Sequence, residues 1–382
     1  MVATPTVIAA GESSMSAMVS TPKIDNDAPL VDQMATATPK SISTVPSNGD
    51  VNPYGIAVVP NNIAPGGKLH AGDILVSNFN NSSNAQGTGT TITKITPSGQ
   101  TSVFFQGSNG LGLTTALGIL SKGFVIVGNM PTTDGTSATV QQGSLLILSN
   151  NGTLVQTLSN SKLLDGPWDL TINEHGNNAE VFVSNVLSGT VTRINLEIHG
   201  QKIVVDSMTQ IGSGYTHHSD PNALEVGPTG LVYDKNTDTL YVASTGDNEV
   251  FSIAHAARTN VDAGKGTLVY QDNTHLHGPL GMVQDANGDL IVANGDAVNP
   301  DPANPSTLVE FTPQGKFVGQ FKLDPAPGAA FGLVLLTHGD VDQLMTVNDD
   351  TNSVEIFTLD TPEPHHVTPF TPPGQLKTGK GK

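Results

Sequence analysis

The chain has 382 residues, only 13% of them charged, and its 34 acidic side chains against 16 Lys and Arg give a formal net charge of -18. That balance argues against a nucleic-acid backbone as partner, and the two arginines, Arg193 and Arg258, are two isolated copies, too few for the forked clusters that grip small anions. The absence of cysteine excludes thiol catalysis, Cys-ligated zinc and disulfides.

Residues 1–38 are rich in Ala, Ser, Thr and Pro without sustained periodicity and are expected to form a flexible N-terminal segment. Met1 to Ser20 lacks the basic start and apolar stretch of an intact signal peptide. Abundant Ser, Thr, Asn, Gly and Pro with few charges resembles proteins that work outside the cytoplasm. The expectation is a mature periplasmic or secreted chain whose signal was replaced by an initiating Met. No apolar run approaches the roughly 18 to 20 residues of a membrane span.

From residue 39 to 360 one unit recurs six times. Its first element reads Pro53-Tyr54-Gly55-Ile56, then Ala116-Leu117-Gly118-Ile119, Gly166-Pro167-Trp168-Asp169-Leu170, Gly227-Pro228-Thr229-Gly230-Leu231, Gly278-Pro279-Leu280-Gly281-Met282 and Ala330-Phe331-Gly332-Leu333. Its second is an aliphatic run ending at Asn78, Asn129, Asn185, Ser244, Asn294 and Asn348. Units start roughly 50 to 60 residues apart, the period of a four-stranded propeller blade. The predicted fold is an all-β, six-bladed β-propeller with four-stranded antiparallel blades. In the fourth unit Gly230–Tyr233, Thr239–Ala243, Glu249–Ile253 and Gly266–Tyr270 are the strands, and Asp234–Asp238 supplies the first hairpin turn. Asp285-Ala286-Asn287-Gly288-Asp289 is the matching turn of the fifth. The sixth unit provides three strands, and Lys40–Val45 near the N-terminus is expected to supply the fourth and close the ring. Residues 361–382 form a Pro/Gly/Lys-rich tail that includes His365 and His366.

The unit Gly-Pro-x-Gly-Leu, a hairpin, Leu-x-Val-Ala-Asn, a loop and Asn-x-Val-x-x-Phe resembles the NHL-type propeller repeat, best in Gly278 to Gly315. A more distant resemblance is to the gluconolactonase-like propellers. Related six-bladed rings include lyases, lactonases, sugar dehydrogenases and pure binding platforms, so the resemblance implies the fold and leaves the activity open. The amidating lyases place His after Pro at blade starts, where this chain has Tyr54, Trp168, Thr229 and Leu280. The gluconolactonase-like enzymes hold a divalent metal with Glu, Asn and Asp. Here Asp169 with Asn185, Asn294 or Asn348 takes comparable positions, and the Glu has no counterpart.

In a propeller the innermost strand begins and the second strand ends on one face. Asn78, Asn129, Asn185, Ser244, Asn294 and Asn348 are therefore expected near the mouth of the central channel, with Asp169 standing where the other units carry Gly. Such oxygens suit a polar ligand or a divalent metal such as calcium, and they equally suit closure of strand ends through nearby backbone groups. Trp168 and Tyr54 at blade starts offer stacking surfaces for a ligand or packing between blades. Long polar connections, Phe79–Thr90, Met130–Gln141, Gly212–Val226 and Gly295–Pro305, mark the same face as a binding surface. His217 with His218, and His275 with His277, lie in loops of that face as candidate zinc or copper ligands or as plain exposed histidines. Two functions follow: a binding platform for a protein or small polar ligand, acting through the loop-rich face and channel mouth, or a metal-dependent hydrolase or lactonase with its site there.

Overall fold

Alternating apolar runs separated by Gly, Asn and Asp turns fold into six four-stranded antiparallel sheets, five of them built from four consecutive strands. The structure is a computed structural model that describes residues 28–221 and 223–362. Blades 1 to 5 span 51–106, 113–158, 167–212, 228–270 and 279–322, and blade 6 spans 330–360. A closing strand, Lys40–Ser43, pairs with Ser353–Asp360 from Lys40 opposite Ile356 to Ser43 opposite Ser353, and so supplies the fourth strand of blade 6. The chain is thus a closed six-bladed β-propeller. Among the described residues no helix is long and apolar enough to cross a membrane.

The recurrent phrase at each blade start has a structural cause. In all six blades the pairing between the first two strands shifts register just there, between Pro53 and Gly55, Leu113 and Leu117, Pro167 and Leu170, Pro228 and Leu231, Pro279 and Met282, and Ala330 and Leu333. The innermost strands converge on the axis at this level, and a Cβ at Gly230 or Gly332 would meet the carbonyl of the next blade, Leu280 or Tyr54. Blade 2 departs from the sequence alignment. Leu117 pairs with Val127 as Leu170 pairs with Val183, so Ala116, not Gly118, occupies the position of Asp169. One extra residue in the bulge, between Leu113 and Leu117, accounts for the offset.

The core is divided into wedges between neighbouring blades rather than gathered at one centre. Leu75 and Phe104 of blade 1 meet Leu113 and Val125 of blade 2, and Phe182 of blade 3 meets Leu240 and Phe251 of blade 4. The wedge between blades 5 and 6 gains a further element. Leu30–Met34, expected within the flexible segment, forms a one-turn helix, α1, whose Leu30, Val31 and Met34 are buried against Leu308, Phe357 and Leu359. Three apolar residues in five give this stretch a face to bury, so the packed body begins before residue 39. The expected tail, with His365 and His366, lies outside the described residues beyond position 362.

Candidate functional site

On the loop-rich face the channel mouth is filled. Trp168 and Phe331 stand one residue after the start of the innermost strand in blades 3 and 6, Tyr54 stands three residues after it in blade 1, and they meet on the axis with Phe79, Met130, Val186 and Leu224. Tyr54 stacks on Phe331 with ring centroids 4.0 Å apart and on Phe79 at 4.7 Å, while Trp168 contacts Tyr54 at 5.7 Å and Phe79 at 5.5 Å. Tyr54 and Trp168 are 5% and 3% exposed, so both pack into this plug. Burial, with Asp349 nearby, pushes the Tyr54 phenol far above its usual range.

Below the plug lies a cavity of about 510 Å³, walled by the edges of the innermost strands. Its far end is framed by the half-buried Val58, Ile119, Ile172, Tyr233, Gln284 and Leu336, where those strands finish, so it opens on the face opposite the long loops. Of the amide, hydroxyl and carboxylate groups expected at the mouth, Asp169 alone lines this cavity. Its Oδ1 accepts from its neighbour's Leu170 N–H at 2.8 Å and its Oδ2 from Leu231 N–H of blade 4 at 3.1 Å. The carboxylate therefore joins two innermost strands where blades 1, 4, 5 and 6 rely on backbone contact across Gly55, Gly230, Gly281 and Gly332. Burial raises its pKa to about 7, and the two backbone donors only partly offset that rise.

The six strand-end residues are buried and bonded to the connections around them. Asn129 Oδ1 accepts from Gly112 N–H, Asn185 Oδ1 from Asp165 N–H and Asn294 Oδ1 from His277 N–H, each reaching the segment that leads into its own blade. Asn78 Nδ2 donates to the Thr44 carbonyl, Asn348 Nδ2 to Asp324 Oδ2, and Ser244 Oγ to Asp247 Oδ2. These bonds fasten each second strand to a neighbouring loop, the role Asn and Ser take at strand ends generally.

The histidines are anchored separately. His275 Nδ1 bonds Asp272 and its ring stacks on Phe317 with centroids 3.9 Å apart. His277 is 4% exposed, with Nδ1 on the Asn299 carbonyl. His217 and His218 are exposed beside the short hairpin His218–Asp220 and Leu224–Val226, whose Leu224 enters the plug. Among the described residues one group of three His, Asp or Glu ligand atoms closes to within 4.8 Å, and it contains no histidine: Asp285, Asp289 and Glu310. Burial and mutual repulsion raise Asp285 to about 6 and Glu310 to about 8. Two sequence signals mark this group: alternate oxygen-bearing residues in Asp285-Ala286-Asn287-Gly288-Asp289, and a lone Glu in the buried strand Thr307–Phe311.

The two faces differ in charge. Connections on the loop-rich face carry Asp134, Asp165, Asp220, Asp247, Asp301 and Asp350 among other carboxylates, with Lys162 as their single basic residue besides histidine. Lys265 reaches Asp247 at 2.7 Å and neutralises one of them. On the opposite face Lys68, Lys122, Lys235, Arg258 and Lys316 balance the acids of the turns. Neither arginine faces the channel: Arg193 Nη1 donates to the Ala256 and Thr259 carbonyls, and Arg258 pairs with Asp238 at 3.4 Å.

No family model and no curated protein sequence matches the chain. Solved structures do match in fold. Regucalcin from Agrobacterium tumefaciens, described as a calcium-binding protein, is 14% identical with a TM-score of 0.50 over 84% of this chain and 96% of its own. Virginiamycin B lyase from Staphylococcus aureus is 14% identical with a TM-score of 0.48 over 84% of this chain and 100% of its own. A putative gluconolactonase is 14% identical with a TM-score of 0.47 over 90% of this chain and 98% of its own. At such identity the likeness to regucalcin shows the propeller fold and says nothing of activity.

Proposed function

We propose that the protein is an extracytoplasmic binding platform whose loop-rich face takes a partner protein carrying a basic patch. The observation that supports this reading is the one-sided charge of that face, set on a ring whose mouth is closed by packed aromatics. A face of this kind steers a basic partner and offers a broad surface rather than a pocket. The test is titration of immobilised protein with a basic and an acidic probe protein of equal size. Binding of the basic probe is expected to weaken with salt and with Asp134→Asn, Asp220→Asn, Asp301→Asn and Asp350→Asn combined. Equal binding by that variant would end the proposal. The extracytoplasmic setting rests on composition alone, and cell fractionation checks it.

One observation favours a second reading, a hydrolase or lactonase. Asp169 is a carboxylate raised to about 7 on the wall of a cavity large enough for a small ligand, as a general base requires. This reading moves the site to the open face and predicts turnover of small lactones or esters that Asp169→Asn abolishes. The two amide donors already on Asp169 make it the weaker of the two.

A further inference from the structure

Blade 5 contains a buried acidic group that neither reading uses. Asp285 and Asp289 stand at the two ends of its first hairpin turn, and Glu310 comes from the third strand, opposite Ile291. They are 7%, 4% and 1% exposed. One oxygen is fixed in each of two members: Asp285 Oδ1 accepts from Asn287 N–H at 2.9 Å and Asp289 N–H at 2.8 Å, and Glu310 Oε2 accepts from Val31 N–H of α1 at 3.0 Å. The second oxygen of Asp285 is buried without a hydrogen-bond partner, although the side chain as a whole is more than nine-tenths buried. So is Asn287 Oδ1, two residues along the same turn. Orphaned buried oxygens of this kind are rare in folded proteins and call for a ligand that accepts their lone pairs.

We propose that this group is a calcium site, formed by Asp285, Asp289 and Glu310 with Asn287 as a further oxygen ligand, and that the ion fastens α1 to blade 5. Three chemical arguments select the ion. The donors are all oxygen, which suits a hard cation and excludes the softer metals that favour imidazole or thiolate. Their ligand atoms lie within 4.8 Å of one another, inside the span of about 5 Å that two oxygens on opposite sides of one calcium allow. Magnesium demands shorter, octahedral contacts and keeps its water, which a turn with little exposed surface does not favour. Because Glu310 also holds the Val31 amide, an ion on its other oxygen couples metal occupancy to the docking of the N-terminal helix. The half-buried Asn287 and Gly288 of the turn are the route from solvent.

The experiment is calorimetric titration of chelator-treated full-length protein with calcium chloride and separately with magnesium chloride, alongside hydrogen exchange at the Val31 amide. Asp285→Asn and Glu310→Gln are compared with Asp301→Asn on the loop-rich face. The expected result is one calcium per chain, bound at least about tenfold more weakly by Asp285→Asn and by Glu310→Gln and equally well by Asp301→Asn, with slower exchange at Val31 when calcium is present. Failure of the wild-type protein to bind calcium, or unchanged affinity in the two blade 5 variants, overturns the proposal and leaves carboxyls that share a proton. Should either variant fail to fold, the wild-type protein decides alone: calcium bound without protection of Val31 also overturns it.

Discussion

The two faces of the ring differ in opposite senses. The loop-rich face has long, acidic connections and a mouth sealed by Tyr54, Phe79, Trp168 and Phe331, whereas the opposite face has short turns apart from the connections 59–73 and 255–266, balanced charge and the open end of the cavity. Loop length and cavity, two features commonly taken to mark the same functional site, here sit on different faces. An acidic loop surface and an open cavity are separated by one layer of aromatic rings.

Removing that layer is the sharpest way to break the contrast. Phe79→Ala and Trp168→Ala each empty a buried aromatic site, and each is expected to destabilise the fold by about 3 to 5 kcal/mol in chemical denaturation. Both also open the channel to the loop-rich face, so a small apolar dye is expected to gain a binding mode that the wild-type protein lacks.

A smaller effect comes from the carboxylate under the plug. The folded protein raises Asp169 from 3.8 to about 7, so the folded state holds its proton more tightly than the unfolded chain does. Its contribution to stability is therefore fully present below about pH 4 and is lost as pH rises through about 7. At about 1.4 kcal/mol per pKa unit the loss is at most about 4 kcal/mol, and contact with cavity water makes it smaller. Unfolding of wild type and Asp169→Asn at pH 5 and pH 8 tests this: the variant is expected to lose less stability between the two. Asp349, raised to about 7 by burial and by Asp350, leaves a residual slope in the same direction. Equal slopes in the two proteins would contradict the placement of Asp169.

The smallest expected effect is on the acidic loops. Asp134 and Asp301 are held below the usual carboxylate range by short-range hydrogen bonds within their own loops. Asn at both positions is expected to leave the denaturation midpoint unchanged while altering salt-dependent association. A large fall in the midpoint would mean that the loop charges support the ring instead.

The fold was legible because its cause is repeated. Each blade needs a bulge where the innermost strands converge and a bonded Asn or Ser at the end of the second strand, and both leave a residue-level mark six times. Closure by Lys40–Ser43 was legible from the missing fourth strand of blade 6. The site was less so. Side-chain direction decides whether a strand-end Asn faces the axis or the adjoining loop, and spacing along the chain carries no such information. The plug leaves no sequence signal because its members come from three blade starts, a second-strand end, two loop positions and a short connecting hairpin, with no spacing in common. The one-turn helix α1 is too short for a periodic signal, and the spacing of Glu310 along the chain does not show that Val31 lies above it.

Ring closure also sets an order of assembly. Ser41 bonds Glu355 across a separation of 314 residues, so the strand that completes blade 6 is synthesised before the other blades and its partner after them. Until Ser353–Asp360 has left the ribosome, the first and last blades each present an unmatched flank, and pairing across the whole chain is a late step in folding. A nascent chain interrupted before blade 6 is therefore an open crescent, exposed to pairing with a second copy of itself.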